Sequence, residues 1–194
     1  IVEEGSIAVI TESIFDDPSK PVDIHHLPHN EKAISVACCS KFILALSSIG
    51  RVFIASLSWD KKLSHFEEVH ELSSKNIVDI SGTYNHFLAV TKEGQVYGHG
   101  ENQFGKLGIG KEIENEDKFV EIASLKSEKI AHAYAGYDHS LFQTEDGKVL
   151  ACGKNNFGQL FLESGPSDDC VYLPIETSIK KGAKFCIAGN GLSV

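Results

Sequence analysis

The chain has 194 residues, 42% of them hydrophobic and 23% charged, which excludes global disorder and suits one domain with a core of its own. No apolar run reaches the roughly 18 to 20 residues that cross a bilayer, and the opening IVEEGSIAVI lacks the basic flank of a signal peptide. With 18 Lys+Arg against 27 Asp+Glu the net charge is -9, a field that repels phosphate backbones and anionic headgroups, so neither direct nucleic-acid nor membrane binding is expected.

Taken in chain order, residues 1–32 read as the end of a repeating unit, with Gly5 at a turn inside EEGSIAVITES. His25, His26 and His29 around Pro28 read as a solvated polar loop, because no second ligand cluster lies near enough to suggest a metal. Residues 33–74 form a degenerate unit. Its stretch ACCSKFILALSSIGRVFIAS sets an apolar strand from Phe42 to Leu46 before a turn at Gly50, and burial is expected of Cys38 and Cys39. The loop SLSWDKKL with Trp59 follows.

Residues 75–126 are a strong unit. Its strands read IVDIS, HFLAVT, QVYGH and KFVEI, and its marked residues are His86, Gly94, Gly100, Asn102, Phe104, Gly105 and Leu107. Residues 127–179 copy it, with strands KIAHAYA, SLFQT, KVLACG and VYLPIE and the residues His139, Gly147, Gly153, Asn155, Phe157, Gly158 and Leu160. Residues 180–194 begin another unit, in which Gly189 stands for the glycine before the histidine. Asn115 to Lys118 or Ser124 to Lys129 is expected to form a helical turn.

The turn glycines fall at 5, 50, 94 and 147, at intervals of 45, 44 and 53. Four short period-2 strands per unit, with Gly supplying positive φ between paired strands, predict an all-β chain folded as a β-propeller. The opening and closing segments together amount to about one period, so a closed four-bladed ring stands beside a partial ring.

The turn glycine, the G-x-x-H-S of Gly136 to Ser140 and GKNNFGQL from Gly153 to Leu160 make the chain resemble the regulator of chromosome condensation repeat family. That resemblance implies a seven-bladed propeller of which this chain is an excerpt of about four repeats, and the remaining blades as partners. The degenerate unit departs from it, with Phe42 in place of the histidine.

Gly100 to Lys106 also matches G-x-x-x-x-G-K, the phosphate-cradling loop. Leu107 stands where Ser or Thr must bind magnesium, and the sister unit carries Gln159 in place of the lysine, so no nucleotide cofactor is expected. His86 and His139 recur once per unit and are expected to make structural hydrogen bonds to backbone rather than share a catalytic site. Asn85 and Asp138 beside them are expected to satisfy local turn amides. No nucleophile, base and oxyanion donors converge, so no enzyme, metal or cofactor is expected.

Charged loops and exposed aromatics point to a non-catalytic protein–protein interaction scaffold, with Trp59, Phe104, Phe157, Glu114, Glu116, Asp117, Asp168 and Asp169 as candidate partner-binding residues. The resemblance implies a second reading, guanine nucleotide exchange on a Ran-like small GTPase, and admits a third, a structural part of a cytoskeletal or ciliary assembly. Cysteines at 38, 39, 152, 170 and 186, odd in number and without a CxxC pair, read as reduced thiols of a cytoplasmic protein, with nuclear action compatible.

Overall fold

The computed structural model describes residues 2–3, 5–9, 23–58, 62–162, 169–179, 182–184, 186–190 and 192–193. Among them the strands form four antiparallel sheets in chain order. The first holds β1 (Val2–Glu3), β2 (Ser6–Val9) and β3 (Asp23–His25). The second holds β4 (Ala33–Cys38), β5 (Phe42–Ser47), β6 (Val52–Ser56) and β7 (Glu67–Glu68). The third holds β8 (Ile77–Thr83), β9 (His86–Thr91), β10 (Val96–Glu101) and β11 (Asn115–Glu121). The fourth holds β12 (Ile130–Ala135), β13 (His139–Thr144), β14 (Val149–Lys154) and β15 (Cys170–Glu176). The helices described are single 3₁₀ turns, none long and apolar enough to cross a membrane.

The core lies in the seams between sheets. All six residues of β9 are buried. Leu88 and Val90 pack into the cluster shared with the fourth sheet, whereas Phe87 and Ala89 pack into the one shared with the second. In β5, Leu44 and Leu46 face one seam, Ile43 and Ala45 the other. A strand covered on both faces has no solvated side, which is why HFLAVT and FILALS run almost unbroken in apolar residues. First strands touch first strands, β4 against β8 and β8 against β12, and this places them innermost. The fold is a β-propeller whose blades are these sheets.

Each blade thus has two rims. The turn rim carries the β5–β6, β9–β10 and β13–β14 turns, closed by main-chain bonds from Gly50, Gly94 and Gly147 to Ser47, Thr91 and Thr144, each 3.0 Å. The turn glycine then reaches the next blade: the carbonyls of Gly5, Gly50, Gly94 and Gly147 accept from the amides of Ala33, Ile77, Ile130 and Ala183 at 3.0, 3.0, 3.2 and 3.3 Å. Gly94 has φ +86°, and a Cβ there would stand 3.0 Å from Lys129 Cα, so the position needs glycine for conformation and for clearance. The loop rim carries the short inner loops at 39–41, 84–85 and 136–138 and the long connections into β7, β11 and β15.

Two local expectations are corrected. Of the two stretches expected to hold a helical turn, Asn115 to Lys118 is strand, because Asn115 pairs with Glu101 and Glu116 with Gly100, while Ser124 to Lys129 overlaps the 3₁₀ turn Ala123–Leu125. Cys38 is exposed, because Ala37 takes the inward face of β4 and the pleat turns its neighbour outward.

Candidate functional site

The loop rim is built around two copies of G-x-N-x-F-G-x-L. Asn102 organises the first: its Oδ1 accepts from the Leu107 amide at 2.9 Å, and its Nδ2 donates to the carbonyls of Gly110 and Ile113 at 2.7 and 2.6 Å. Asn155 repeats the first of these bonds with Leu160, at 3.0 Å. Leu107 and Leu160 are fully buried below.

Lys106 is only 1% exposed, its ammonium 3.5 Å from Glu101 and 3.7 Å from Asp138. A lysine clasped by two carboxylates, on a loop whose helix is the single 3₁₀ turn Gln103–Gly105, offers nothing to a phosphate. Asp138 also faces Lys154 at 3.8 Å, and Asn85 donates to Glu101 at 2.8 Å. The expectation that these two serve local turn amides is therefore corrected; they tie together charges from two blades.

The histidines differ from expectation in their partner. His86 Nε2 meets Ser140 Oγ at 3.0 Å and His139 Nε2 meets Ser193 Oγ at 2.7 Å, each 54 residues on in the neighbouring unit. Ser140 donates to the Lys106 carbonyl at 2.6 Å, so its oxygen accepts from His86. The backbone bond expected of these rings is replaced by a hydroxyl across the seam, because the ring projects between blades. Burial, assisted by Lys106 and His139, lowers the His86 pKa to about 3; burial lowers that of His139 to about 4 against the pull of Asp138. Both rings are neutral at pH 7 and act as seam struts.

On the surface above these struts, Tyr84 and Tyr137 from adjacent blades stack with centroids 4.8 Å apart. They remain 49% and 36% exposed. Partial burial, Tyr84 and the Asp138 carboxylate push the Tyr137 phenol pKa up. Nearby, an open concavity of about 580 Å³ is lined by Phe104, Lys111, Glu114 and Tyr172 among others.

Of the candidate residues, Glu114, Glu116 and Asp117 come together at the entry to β11, Glu114 and Asp117 exposed and Glu116 half-buried. Phe104 is half-buried, with Lys154 Nζ 4.6 Å above its ring. Phe157, its repeat counterpart, is 76% exposed, and Asp169 is exposed on the last long loop. Trp59 and Asp168 lie outside the described residues. Tyr84, Tyr137 and Glu101 were missed by the sequence reading. The tyrosines did leave a signal, since both precede the Asn/Asp-His step of their units. No group of three or more His, Cys, Asp or Glu among the described residues is placed to hold a metal ion.

Comparison with known proteins gives matches to the regulator of chromosome condensation (RCC1) repeat at residues 93–143, and at 77–106 and 130–159. The ultraviolet-B receptor UVR8 of Arabidopsis thaliana is 30% identical over 138 residues, 67% of this chain and 31% of the receptor. The secretion-regulating guanine nucleotide exchange factor of Bos taurus is 32% identical over 178 residues, 84% of this chain and 36% of that protein. The chain thus spans about a third of the length of these relatives. Among solved structures, yeast RCC1 (Prp20), crystallised with Kap60, superposes with a TM-score of 0.71 at 20% identity, over 87% of this chain and 42% of that one.

Proposed function

The chain belongs to the RCC1-repeat proteins, and from that premise we propose that it is a non-catalytic interaction module whose loop rim holds another protein. The observation that carries this reading is the stacked pair Tyr84–Tyr137, two large rings held half in solvent beside the charges of Glu101, Asp138 and Lys106. Aromatic anchors ringed by charge are what protein interfaces concentrate. Five cysteines, odd in number and without a CxxC pair, support a reducing compartment, cytoplasm or nucleus. The test is proximity labelling in cells with the wild-type chain, a Tyr84→Ser/Tyr137→Ser variant and a turn-rim control, Lys92→Ala/Gln95→Ala. The reading expects a set of labelled proteins that the tyrosine variant loses and the control keeps. Equal loss from both, or from neither, contradicts it.

A second reading is exchange activity on a small GTPase, favoured by the similarity to the bovine exchange factor across 84% of this chain. It needs no catalytic residue, because tighter binding of the nucleotide-free GTPase lowers nucleotide affinity by the same factor. Faster release of labelled GDP from a Ran-like GTPase supports it; unchanged release removes it.

A further inference from the structure

In the seam between the third and fourth sheets, the loop 102–108 lies inside. The Lys106 carbonyl takes the Ser140 hydroxyl at 2.6 Å and stands 3.5 Å from Cys152 Sγ. Gly105 rests on the main chain of Val171 and Tyr172, where a Cβ would come within 2.5 Å of Tyr172 Cα. Strand pairing gives each of these residues a counterpart one blade earlier: Phe87 for Ser140, His99 for Cys152, Glu116 for Val171 and Asp117 for Tyr172. Those counterparts line an open pocket of about 270 Å³ between the second and third sheets. At the corresponding place after the third strand of the second sheet, Leu57 bridges to Leu63, and the Ser58 amide donates to the Lys62 carbonyl at 2.9 Å.

The wall has changed in one chemical direction. Where the filled seam has valine and tyrosine, the open one has two carboxylates, with Glu101 also on its lining and Lys41 as its one lysine among the described residues. Glu116 is half-buried, and its carboxylate has no hydrogen bond or ion pair among the described residues. Burial lowers the His99 pKa, and Asp117, Glu71 and Glu116 all oppose that shift, which reports negative potential at the pocket floor. The lining also holds the rings of Phe42, Phe87 and His99, the last two with centroids 6.2 Å apart.

We propose that this pocket receives a basic loop of a partner protein, its lysine or arginine held by Glu116 and Asp117 beside the aromatic rings of the lining, as Lys106 is held by Glu101 and Asp138 one seam further on. The proposal rests on the reading of the loop rim as a protein-binding surface, and names the chemistry one part of it selects. Charge complementarity and a cation over aromatic rings both favour such a guest.

A capped peptide copying residues 102–107, NQFGKL, and the same peptide with norleucine for lysine, are titrated into the full chain and followed by amide NMR. The lysine peptide is expected to shift Phe87, His99 and Glu116 saturably, and the norleucine peptide to bind about tenfold more weakly. Glu116→Gln is expected to weaken the lysine peptide by a similar factor with an unchanged melting curve. Absent shifts, equal binding of both peptides, shifts elsewhere, or indifference to Glu116→Gln overturn the proposal. Tyr84→Ser/Tyr137→Ser separates the two readings. Peptide binding without tyrosine-dependent labelling keeps the pocket and removes the rim reading; tyrosine-dependent labelling without peptide binding does the reverse.

Discussion

The turn rim repeats across all the seams described, whereas the loop rim changes from one seam to the next. On the turn rim each link is a glycine carbonyl and the first amide of the next blade, so both partners are main chain. A unit can lose its histidine and its glycine-rich loop, as residues 33–74 have, and still make that link through Gly50. On the loop rim the links are side chains. His86 with Ser140 and His139 with Ser193 are polar pairs, while the corresponding positions of the earlier seam, Phe42 and Phe87, belong to one apolar cluster. Two substitutions therefore rewrite a seam there, and the rim is free to diverge between blades and acquire partners.

The sharpest way to break this contrast is a pair of glycine substitutions. Gly94→Val on the turn rim meets both a positive φ and the Lys129 backbone, and is expected to cost about 3 kcal/mol or more in chemical denaturation. Gly110→Val on the loop rim also has positive φ but nothing within 4 Å, and is expected to cost only about 1 to 2 kcal/mol. Equal costs mean that the turn rim does not hold the blades.

Acid is expected to attack the loop rim next. His86 and His139 titrate in the folded chain at about 3 and about 4, below the unfolded value of about 6.5. Between those values the unfolded chain binds more protons, so stability is full above pH 6.5 and falls as pH drops towards 4 and then 3. At pH 4.5 each histidine costs about 2.5 kcal/mol relative to neutral pH. His86→Asn and His139→Asn are expected to lower stability at pH 7 and flatten the slope between pH 6.5 and 4.5. An unchanged slope contradicts the seam roles.

The smallest contrast lies within the repeat itself, a difference of about 1 to 2 kcal/mol between two asparagines. Asn102→Ala removes three hydrogen bonds and is expected to cost about 2 to 3 kcal/mol, against about 1 kcal/mol for Asn155→Ala, which removes one of those described. Thermal melts of the two variants compare the loops directly; a reversed order means that the loop geometry is set elsewhere.

The four-strand blade was legible because its markers are local: Gly94 and Gly147 for positive φ, the short apolar run of HFLAVT between turns, an asparagine that closes a loop. The seam contacts were not, because their partners lie on different units. Ser140 is matched in the copy before it by Phe87, so aligning units conceals that His86 reaches across a seam to a serine. The exposure of Tyr84 and Tyr137 was hidden for a related reason: a tyrosine at a strand end reads as core unless the neighbouring blade is known. Lys106 was visible as part of a phosphate-loop pattern, yet its burial between Glu101 and Asp138 depends on the next blade.

Lysine footprinting of the complex with a protein recovered by labelling tests most directly that the loop rim, not the turn rim, meets the partner. Acetylation rates are read at Lys41 and Lys111 on the loop rim and at Lys92, Lys126 and Lys129 on the turn rim, all exposed in the free chain. Slower acetylation of Lys41 and Lys111, with the other three unchanged, is the predicted result; protection of Lys92, Lys126 and Lys129 with Lys41 and Lys111 unaffected contradicts it.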